Sequence, residues 1–292
     1  MAQIRIGISG WNYPGWRGRF YPKGLVQRRE LAYVASQMGS VEINGSFYSL
    51  QRPTSYQAWR DQTPDDFVFS VKGGRFITHM KKLADVDTAL ANFFATGLLA
   101  LGPQLGPVLW QLPPMLPFQP ERLTAFFDLL PRTTSAAAAL ASRHDHRLDG
   151  RAWTETDADR PVRHALEVRH PSYCTEEFVQ LLRAHDIALV VADTAGRWPD
   201  LEDVTADFVY VRLHGADELY VSGYTDDALD TWAAKVRRWS AGDSPTGEHT
   251  RAPAMPAAPQ GRDVFVYFDN DAKVHAPFDA MALARRLGVA VG

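Results

Sequence analysis

The stretch FVYVRLHG, residues 208–215, has the composition of a buried β-strand that becomes polar on one face as it ends. Its first four residues are apolar or aromatic, whereas Arg212 and His214 follow with a spacing of two. Alternate residues of a strand point to the same face, so these two side chains share one side of a sheet. Such a pair is expected where the C-terminal ends of parallel strands open onto a functional site.

Short β-branched runs of this kind alternate with helical patterns along the whole chain. The predicted strands are residues 4–9, 41–44, 67–72, 108–112, 165–169, 188–193, 208–214 and 264–270. The predicted helices are residues 30–38, 53–59, 87–101, 121–130, 175–184, 226–239 and 277–287, with an irregular helical turn near 198–201. Strands that are separated by helices pair in parallel.

Eight strand–helix units in about 250 residues are typical of a TIM barrel. We therefore predict an α/β protein that forms a (β/α)8 TIM-type barrel, with residues 1–292 in a single domain. A doubly wound open sheet is the alternative, but that fold usually carries a glycine fingerprint after its first strand. GISG followed by Trp11 and Asn12 is not that fingerprint.

Two segments do not fit the repeat of strands and helices. Residues 133–160 contain an alanine run and a charged string, and we predict an elaborated crossover between strands four and five. Residues 240–262 are rich in Pro, Ala and Gly and lack periodicity, which predicts a flexible surface loop before strand eight. Neither segment is expected to carry chemistry.

Composition excludes several classes of protein. The 292 residues carry a net charge of −3, with Lys and Arg spread along the chain, so the one-sided basic surface of a nucleic-acid-binding protein is not expected. Cys174 is the single cysteine, which excludes an internal disulfide and a multi-cysteine metal site. The N-terminus lacks the pattern of a signal peptide, and no apolar run approaches the ~20 residues of a membrane helix. We expect a cytoplasmic protein without a membrane association.

Most of the predicted strands place polar side chains on one face near their C-terminal ends. In chain order these are Glu42 and Asn44, Ser70 and Lys72, Gln111, Glu167 and Arg169, Asp193, Tyr210 with Arg212 and His214, and either Asp269 or Asn270. One explanation of these charged residues is structural: acidic and basic side chains would form ion pairs inside the barrel and neutralise one another. Each buried charge, however, costs several kcal/mol of desolvation before it is paired, which favours a ligand site at the mouth of the barrel.

The residue types at this mouth indicate acid–base chemistry on an anionic or hydroxylated ligand. We predict Glu167 and His214 as the acid–base pair, with Glu42, Asn44 and Asp193 orienting them. Carboxylates or phosphates would be held by the cations Lys72, Arg169 and Arg212. A divalent metal at Glu42, Glu167, Asp193 and His214 is the less favoured alternative, because these three cations would repel it. Trp11 and Tyr13 could form a lid or a platform for a sugar ring, or could pack a long loop onto the rim.

The chain resembles the domain of unknown function 72, or YecE-like, family over nearly its whole length. The resemblance is carried by GISGWNYPGWRGRFYPKG, VEINGSFYSL, FVFSVKGGRFITH, VLWQLPP, LEVRHPSY, DFVYVRLHG and VYFDN with the following HAPFDA. It implies a (β/α)8 barrel and a loose relation to sugar isomerases. The recurrent positions of the family are matched at Glu42, Asn44, Phe47, Tyr48, Lys72, Gln111, Glu167, Arg169, His170, Asp193, Arg212, His214, Gly215 and Asn270. The chain departs from the family pattern at Tyr173, at Asp279 and in the insertion 240–262. These departures affect the expected contacts at the rim of the barrel and not the polar residues at its mouth.

Together these features predict an uncharacterised enzyme of isomerase, epimerase or lyase type that acts on a small sugar-like or anionic metabolite. The ligand-binding set is then Lys72, Arg169, Arg212, Asn44, Tyr48, Gln111, Trp11 and Asn270. No cofactor is expected. The alternatives are a non-catalytic protein that binds a metabolite and a metal-assisted phosphoester hydrolase.

Overall fold

Eight parallel strands pair in chain order, and β8 also pairs with β1, so the sheet closes into a barrel. The computed structural model describes residues 2–289. The strands are β1 Ile4–Ser9, β2 Ser40–Ile43, β3 Val68–Lys72, β4 Leu105–Gln111, β5 His164–Glu167, β6 Ala188–Asp193, β7 Phe208–Leu213 and β8 Asp263–Phe268. The predicted (β/α)8 barrel is confirmed, and the open doubly wound sheet is excluded because β1 has a partner on both sides.

Helices follow most of the strands. They are α1 Glu30–Ala35, α2 Gly45–Tyr48, α3 Pro53–Arg60, α4 Asp87–Ala95, α5 Pro120–Leu129, α6 Thr134–Ala141, α7 Glu176–Ala184, α8 Asp226–Ser240 and α9 His275–Leu287. The predicted helix 87–101 ends early, since Gly97 adopts a left-handed conformation with φ 110° and a 3-10 segment, Leu98–Gln104, follows. Among residues 2–289, none of the helices has the length and apolar character needed to cross a membrane.

The connection between β6 and β7 is an irregular segment, and the helical turn predicted near 198–201 is not formed. Leu201 and Val204 of this segment are buried. The carbonyl of Val204 accepts hydrogen bonds from the guanidinium of Arg183 on α7. Side-chain burial and these bonds therefore fix the segment without a regular helix.

The two segments outside the repeat have distinct contacts. The crossover 133–160 contains α6, and the backbone N–H of Asp145 donates to the side chain of Asn92 on α4 at 3.0 Å. In the segment 240–262, the carboxylate of Asp203 accepts bonds from the backbone N–H groups of Arg251 and Ala252. The flexibility of this second segment stays a prediction.

The interior of the barrel changes character from its N-terminal to its C-terminal end. Phe208 and Phe265 are buried near the start of β7 and β8. Two residues further, the hydroxyl groups of Tyr210 and Tyr267 meet serine hydroxyls from β3 and β2 at 2.7 and 2.8 Å. Two residues beyond Tyr210, the charged side chain of Arg212 points into the same interior. The strand period thus stacks an apolar layer, a hydroxyl layer and a charged layer.

Candidate active site

Arg212 is the centre of a buried ionic cluster at the C-terminal end of the barrel. Its side chain is 0% exposed and contacts three carboxylates. Nη2 and Nε donate to the two oxygens of Glu42 at 2.9 and 3.1 Å, which is a bidentate pair. Nη1 donates to Glu167 Oε2 at 2.7 Å, and Nη2 also donates to Asp269 Oδ2 at 2.8 Å. Strands β2, β5 and β7, together with the residue after β8, therefore converge on one guanidinium.

Both glutamates of this cluster are saturated with hydrogen bonds. Glu42 also accepts from the hydroxyls of Ser9 and Tyr210, at 2.8 and 2.7 Å. Glu167 also accepts from Gln111 Nε2 at 2.9 Å on each oxygen, and from Arg169 Nε at 2.8 Å. Burial acts to raise the pKa of Glu167, but the charges of Arg169 and Arg212 hold it well below its usual range. Glu167 is therefore an ionised structural anion at neutral pH.

His214, which directly follows β7, completes the cluster. It is fully buried, and Nδ1 lies 3.1 Å from Asp269 Oδ2, although the angle falls short of a hydrogen bond. Nε2 lies 4.0 Å from Glu167 Oε1, so the predicted pair of Glu167 and His214 is brought together. Burial acts to raise the pKa of Asp269, yet Arg212 and His214 lower it to about 2. We name Glu42, Glu167, Arg212, His214 and Asp269 the ionic floor.

A cavity of about 850 Å³ opens above the ionic floor. Its wall includes five of the predicted binding residues, namely Asn44, Tyr48, Lys72, Gln111 and Arg169. It also includes residues outside that predicted set, namely Tyr13, Phe47, Arg75, His79, Met80, Tyr220, Asp269 and Asp271. Lys72 and Gln111 end β3 and β4, so the cavity lies at the face where TIM-barrel active sites are found.

Lys72 is a buried cation of the cavity wall that lacks a directly paired carboxylate among the described residues. It is 8% exposed, and within residues 2–289 its amine forms no ion pair within 4.0 Å and no hydrogen bond. Nζ lies 4.7 Å from the centroid of the Phe47 ring, which offers a weak cation–π contact. Burial, and then the charge of Arg212, lower the pKa of Lys72 to about 8 against the opposing pull of Glu42, Asp269 and Glu167. The amine is therefore partly neutral near physiological pH.

Asp271 is a second cavity residue that titrates near neutral pH. It lies two residues beyond Asp269, and both carboxylates line the cavity. Burial and the negative charge of Asp269 raise the pKa of Asp271 to about 6. The hydroxyl of Tyr13 donates to the carbonyl of Ser9 at 2.6 Å beside it. Two neighbouring carboxylates whose pKa values are driven apart are a recurrent arrangement in acid–base sites.

The remaining cavity groups supply positive charge and neutral polar contacts. Arg169 donates to the hydroxyl of Tyr220 at 3.2 Å, and its guanidinium stacks 3.7 Å from the centroid of the Trp198 ring. Arg75 lies 5.8 Å from the ring centroid of Tyr48, which is 67% exposed at the rim. Burial and the charges of Arg169 and Lys72 lower the pKa of His79 to about 4, so this imidazole is neutral at pH 7.

Three predicted site residues, Asp193, Asn270 and Trp11, lie outside both the ionic floor and the cavity wall. Asp193 accepts a hydrogen bond from the hydroxyl of Tyr224 at 3.0 Å. Ala188, Val190 and Ala192 of β6 face the interior of the barrel, so Asp193, which follows Ala192, points to the outer face of the sheet.

Asn270 also points away from the cavity, because Asp269 is the member of that pair that faces inward. Its amide donates to Ser222 O and Asp279 Oδ2, both at 2.8 Å. Asp279 thus receives a hydrogen bond from a buried amide. The orienting role of Asp193 and the binding role of Asn270 stay predictions.

Trp11 lines an adjoining hollow of about 930 Å³ rather than the cavity above the ionic floor. Its ring packs edge-on against Trp59, with the centroids 5.3 Å apart. Tyr13 and Asn44 line both spaces, so these two side chains form the partition between them. Within residues 2–289 no group of three or more His, Cys, Asp or Glu side chains is disposed to hold a metal ion.

Comparisons with known proteins agree with this architecture. The model of the family described as "Protein of unknown function DUF72" matches residues 5–291. The UPF0759 protein YecE of Escherichia coli (strain K12) is 34% identical over 131 residues, which cover 44% of each chain. The UPF0759 protein YunF of Bacillus subtilis (strain 168) is 29% identical over 126 residues, which cover 41% of this chain and 43% of that relative. The match thus spans less than half the length of these curated relatives.

Solved structures of similar fold cover nearly the whole chain. A DUF72 family protein from Thermotoga maritima superposes with a TM-score of 0.75 at 24% identity, covering 98% of this chain and 99% of the other. A DUF72 family protein from Enterococcus faecalis superposes with a TM-score of 0.72 at 15% identity, covering 99% and 97%. At these identities the likeness supports the fold.

Proposed function

This chain belongs to the DUF72 family of proteins of unknown function, and from that premise we propose an enzyme that moves protons on a small sugar-like or anionic metabolite. The reaction would be of the isomerase, epimerase or lyase type. The observation that carries the proposal is the presence of two groups with shifted pKa values, Lys72 and Asp271, in one cavity at the C-terminal face of the barrel. Strongly shifted pKa values in a cleft are one mark of a candidate functional site.

The geometry supports a division of labour between the ionic floor and the cavity wall. A catalytic acid or base works best when its pKa lies near the operating pH, which fits Lys72 at about 8 and Asp271 at about 6. Glu167, which the sequence pattern predicts as one member of the acid–base pair, remains ionised and is 1% exposed. We therefore assign proton transfer to Lys72 and Asp271, and assign to Glu167 and His214 the positioning of Arg212 and Asp269.

The cations of the wall define the substrate class. Arg75 and Arg169 line the cavity together with Lys72 and can face a carboxylate or phosphate. The neutral imidazole of His79 and the amides of Asn44 and Gln111 offer donors and acceptors to hydroxyl groups. A compact metabolite with one anionic group and several hydroxyls would use all of these contacts within about 850 Å³.

Exchange of carbon-bound hydrogen tests this function even when the product has not been identified. The protein is incubated in D2O with a panel of three- to six-carbon sugar phosphates and sugar acids, and NMR records loss of C–H signal. We expect at least one compound to bind and to exchange one C–H position. Asp271→Asn should retain binding and slow the exchange by about 10²-fold or more, the usual contribution of a general base.

Asp66→Asn is the matched control, because Asp66 is an exposed aspartate that lies outside the cavity wall. Its exchange rate should equal that of the unmodified protein. Binding without any exchange would instead identify a non-catalytic metabolite-binding protein. Absence of both binding and exchange across the panel would refute the proposed function.

A further inference from the structure

We propose that the amine of Lys72 is a nucleophile that forms an imine with an aldehyde or ketone group of the substrate. This inference rests on the proposed function and narrows its substrate class to small anionic carbonyl compounds. Lysine amines that are desolvated or held beside another cation are the ones that perform this chemistry in proteins. Lys72 meets both conditions, since it is 8% exposed and lies close enough to Arg212 for that charge to act on it.

The absence of a counter-ion at Lys72 contrasts with Arg169 and Arg212, which both pair with Glu167. Arg75, the remaining cation of the cavity wall, also has no ion pair within residues 2–289, but its side chain is exposed to solvent, whereas Lys72 is buried. Lys235, a lysine of the outer helix α8, pairs with Glu202. Within residues 2–289 the amine of Lys72 has no such partner, and it borders a cavity large enough for a metabolite. A buried lysine that served packing alone would be expected to have an acidic partner, because an unpaired buried charge is costly.

The electrostatic setting supplies a neutral amine before the reaction and stabilises a cation after it. With a pKa of about 8, roughly a quarter of the Lys72 amine is unprotonated at pH 7.5. This fraction is about 200-fold larger than for an exposed lysine with a pKa of about 10.4. The carboxylates Glu42, Asp269 and Glu167 favour a positive charge at this nitrogen. They would favour the protonated imine in the same way.

The step balances without an oxidant, a reductant or a second substrate. The nitrogen lone pair of Lys72 attacks the carbonyl carbon, so a C–N bond forms as the π bond of the carbonyl breaks. The oxygen takes a proton from the carboxyl group of Asp271, and the nitrogen returns one to the carboxylate. A second proton transfer from Asp271 releases that oxygen as water and leaves the protonated imine. The iminium withdraws electrons from the adjacent carbon, which makes its C–H bond acidic and links this step to the proposed proton transfer.

Reductive trapping tests the inference with defined probes. The full chain is incubated separately with dihydroxyacetone phosphate, glyceraldehyde and pyruvate, each with sodium cyanoborohydride, and adducts are located by peptide mass spectrometry. We expect one adduct per chain at Lys72 with at least one of these probes, formed at least tenfold faster than at any other lysine. Lys72→Met should lose that adduct, whereas Lys23→Met, which removes an exposed lysine, should keep it.

A second measurement on the unmodified chain keeps the inference testable if Lys72→Met fails to fold. The trapping rate at Lys72 should rise with pH and level off above about pH 8, whereas the rate for a free lysine side chain in a model peptide, with a pKa of about 10.4, should continue to rise toward pH 10. Adducts on exposed lysines with none at Lys72 would overturn the inference.

The two proposals fail separately. If a compound binds and exchanges C–H in a manner that depends on Asp271, but no probe traps Lys72, then imine formation is refuted and proton transfer stands. If Lys72 is trapped while no panel compound shows exchange, the nucleophile stands and the proposed proton transfer is refuted.

Discussion

Replacing Arg212 with methionine should destabilise the protein strongly, because three carboxylates would lose their shared cation. Glu42, Glu167 and Asp269 all contact this guanidinium, at 2.9, 2.7 and 2.8 Å, and Arg212 is 0% exposed. Removing one partner of a buried ion pair typically costs about 3–5 kcal/mol. We expect Arg212→Met to lower the free energy of unfolding by at least that amount at pH 8, which is a large share of the ~5–15 kcal/mol of a typical domain.

The loss should depend on pH in a defined direction. In the unmodified protein, Glu167 and Asp269 have lowered pKa values, so the stability they contribute is present above their unfolded pKa of about 4. That contribution declines as pH falls toward the folded value of about 2 for Asp269. Without Arg212, burial raises the pKa of the carboxylates, and the folded variant binds more protons than its unfolded chain. Its stability then falls as pH rises, so the deficit should be larger at pH 8 than at pH 5.

Urea unfolding followed by circular dichroism at pH 5, 6.5 and 8 measures this deficit. Arg286→Met is the matched control, since Arg286 also contacts two carboxylates, Asp226 and Asp230, but on the outer surface. Its effect should be much smaller and should weaken with added salt. The double variant Arg212→Met/Glu42→Gln should be more stable than Arg212→Met, because one uncompensated charge is removed. A deficit below about 1 kcal/mol at pH 8, or one that does not change with pH, would refute this account of the ionic floor.

Two further predictions concern ligand binding in the cavity and the packing of Gly73 against Trp110. The affinity for a sugar acid should increase as pH falls from 9 to 5, in two steps: one near pH 8, where Lys72 gains its positive charge, and one near pH 6, where Asp271 loses its negative charge. Calorimetry should show that the step near pH 6 is absent in Asp271→Asn. An affinity that rises with pH would contradict the assignment. Gly73→Ala should destabilise the fold by about 1–3 kcal/mol through overpacking, because its Cβ would lie 2.3 Å from the Trp110 ring. Gly74→Ala, with 3.7 Å to its nearest neighbour, is the control and should be nearly neutral in thermal unfolding.

Strand parity in the sequence predicts much of the ionic floor. The spacing of Arg212 and His214 places both inside the barrel, and Glu42 and Glu167 follow from the same period on β2 and β5. On β6 the residues of both parities before Asp193 are apolar, so the sequence alone leaves the direction of Asp193 open. Local alternation is informative here because each strand is short and regular, so the side-chain direction is a property of the strand alone.

Loop residues of the cavity escape this reasoning. Arg75, His79 and Tyr220 lie beyond the ends of β3 and β7, where no two-residue period applies. Asp271 lies two residues after the inward-facing Asp269, and this spacing is the sequence feature that could have identified Asp271 as a cavity residue. The irregular segment between β6 and β7 likewise depends on the burial of Leu201 and Val204, not on a local pattern.

The sequence by itself determined the barrel, because eight alternating units leave parallel closure as the arrangement that covers every strand. It also determined that β2, β3, β5 and β7 deliver charge to the C-terminal mouth, but not that Asp193 of β6 points away from it. Only the tertiary structure decided which of those charged side chains are buried in ion pairs and which line the cavity. Arg212 forms an ion pair with Glu42, 170 positions away in the chain, whereas Lys72 has no acidic partner within 4.0 Å in the part of the chain described. Pairing and burial depend on distances between strands far apart in sequence, and those distances are fixed when the barrel closes.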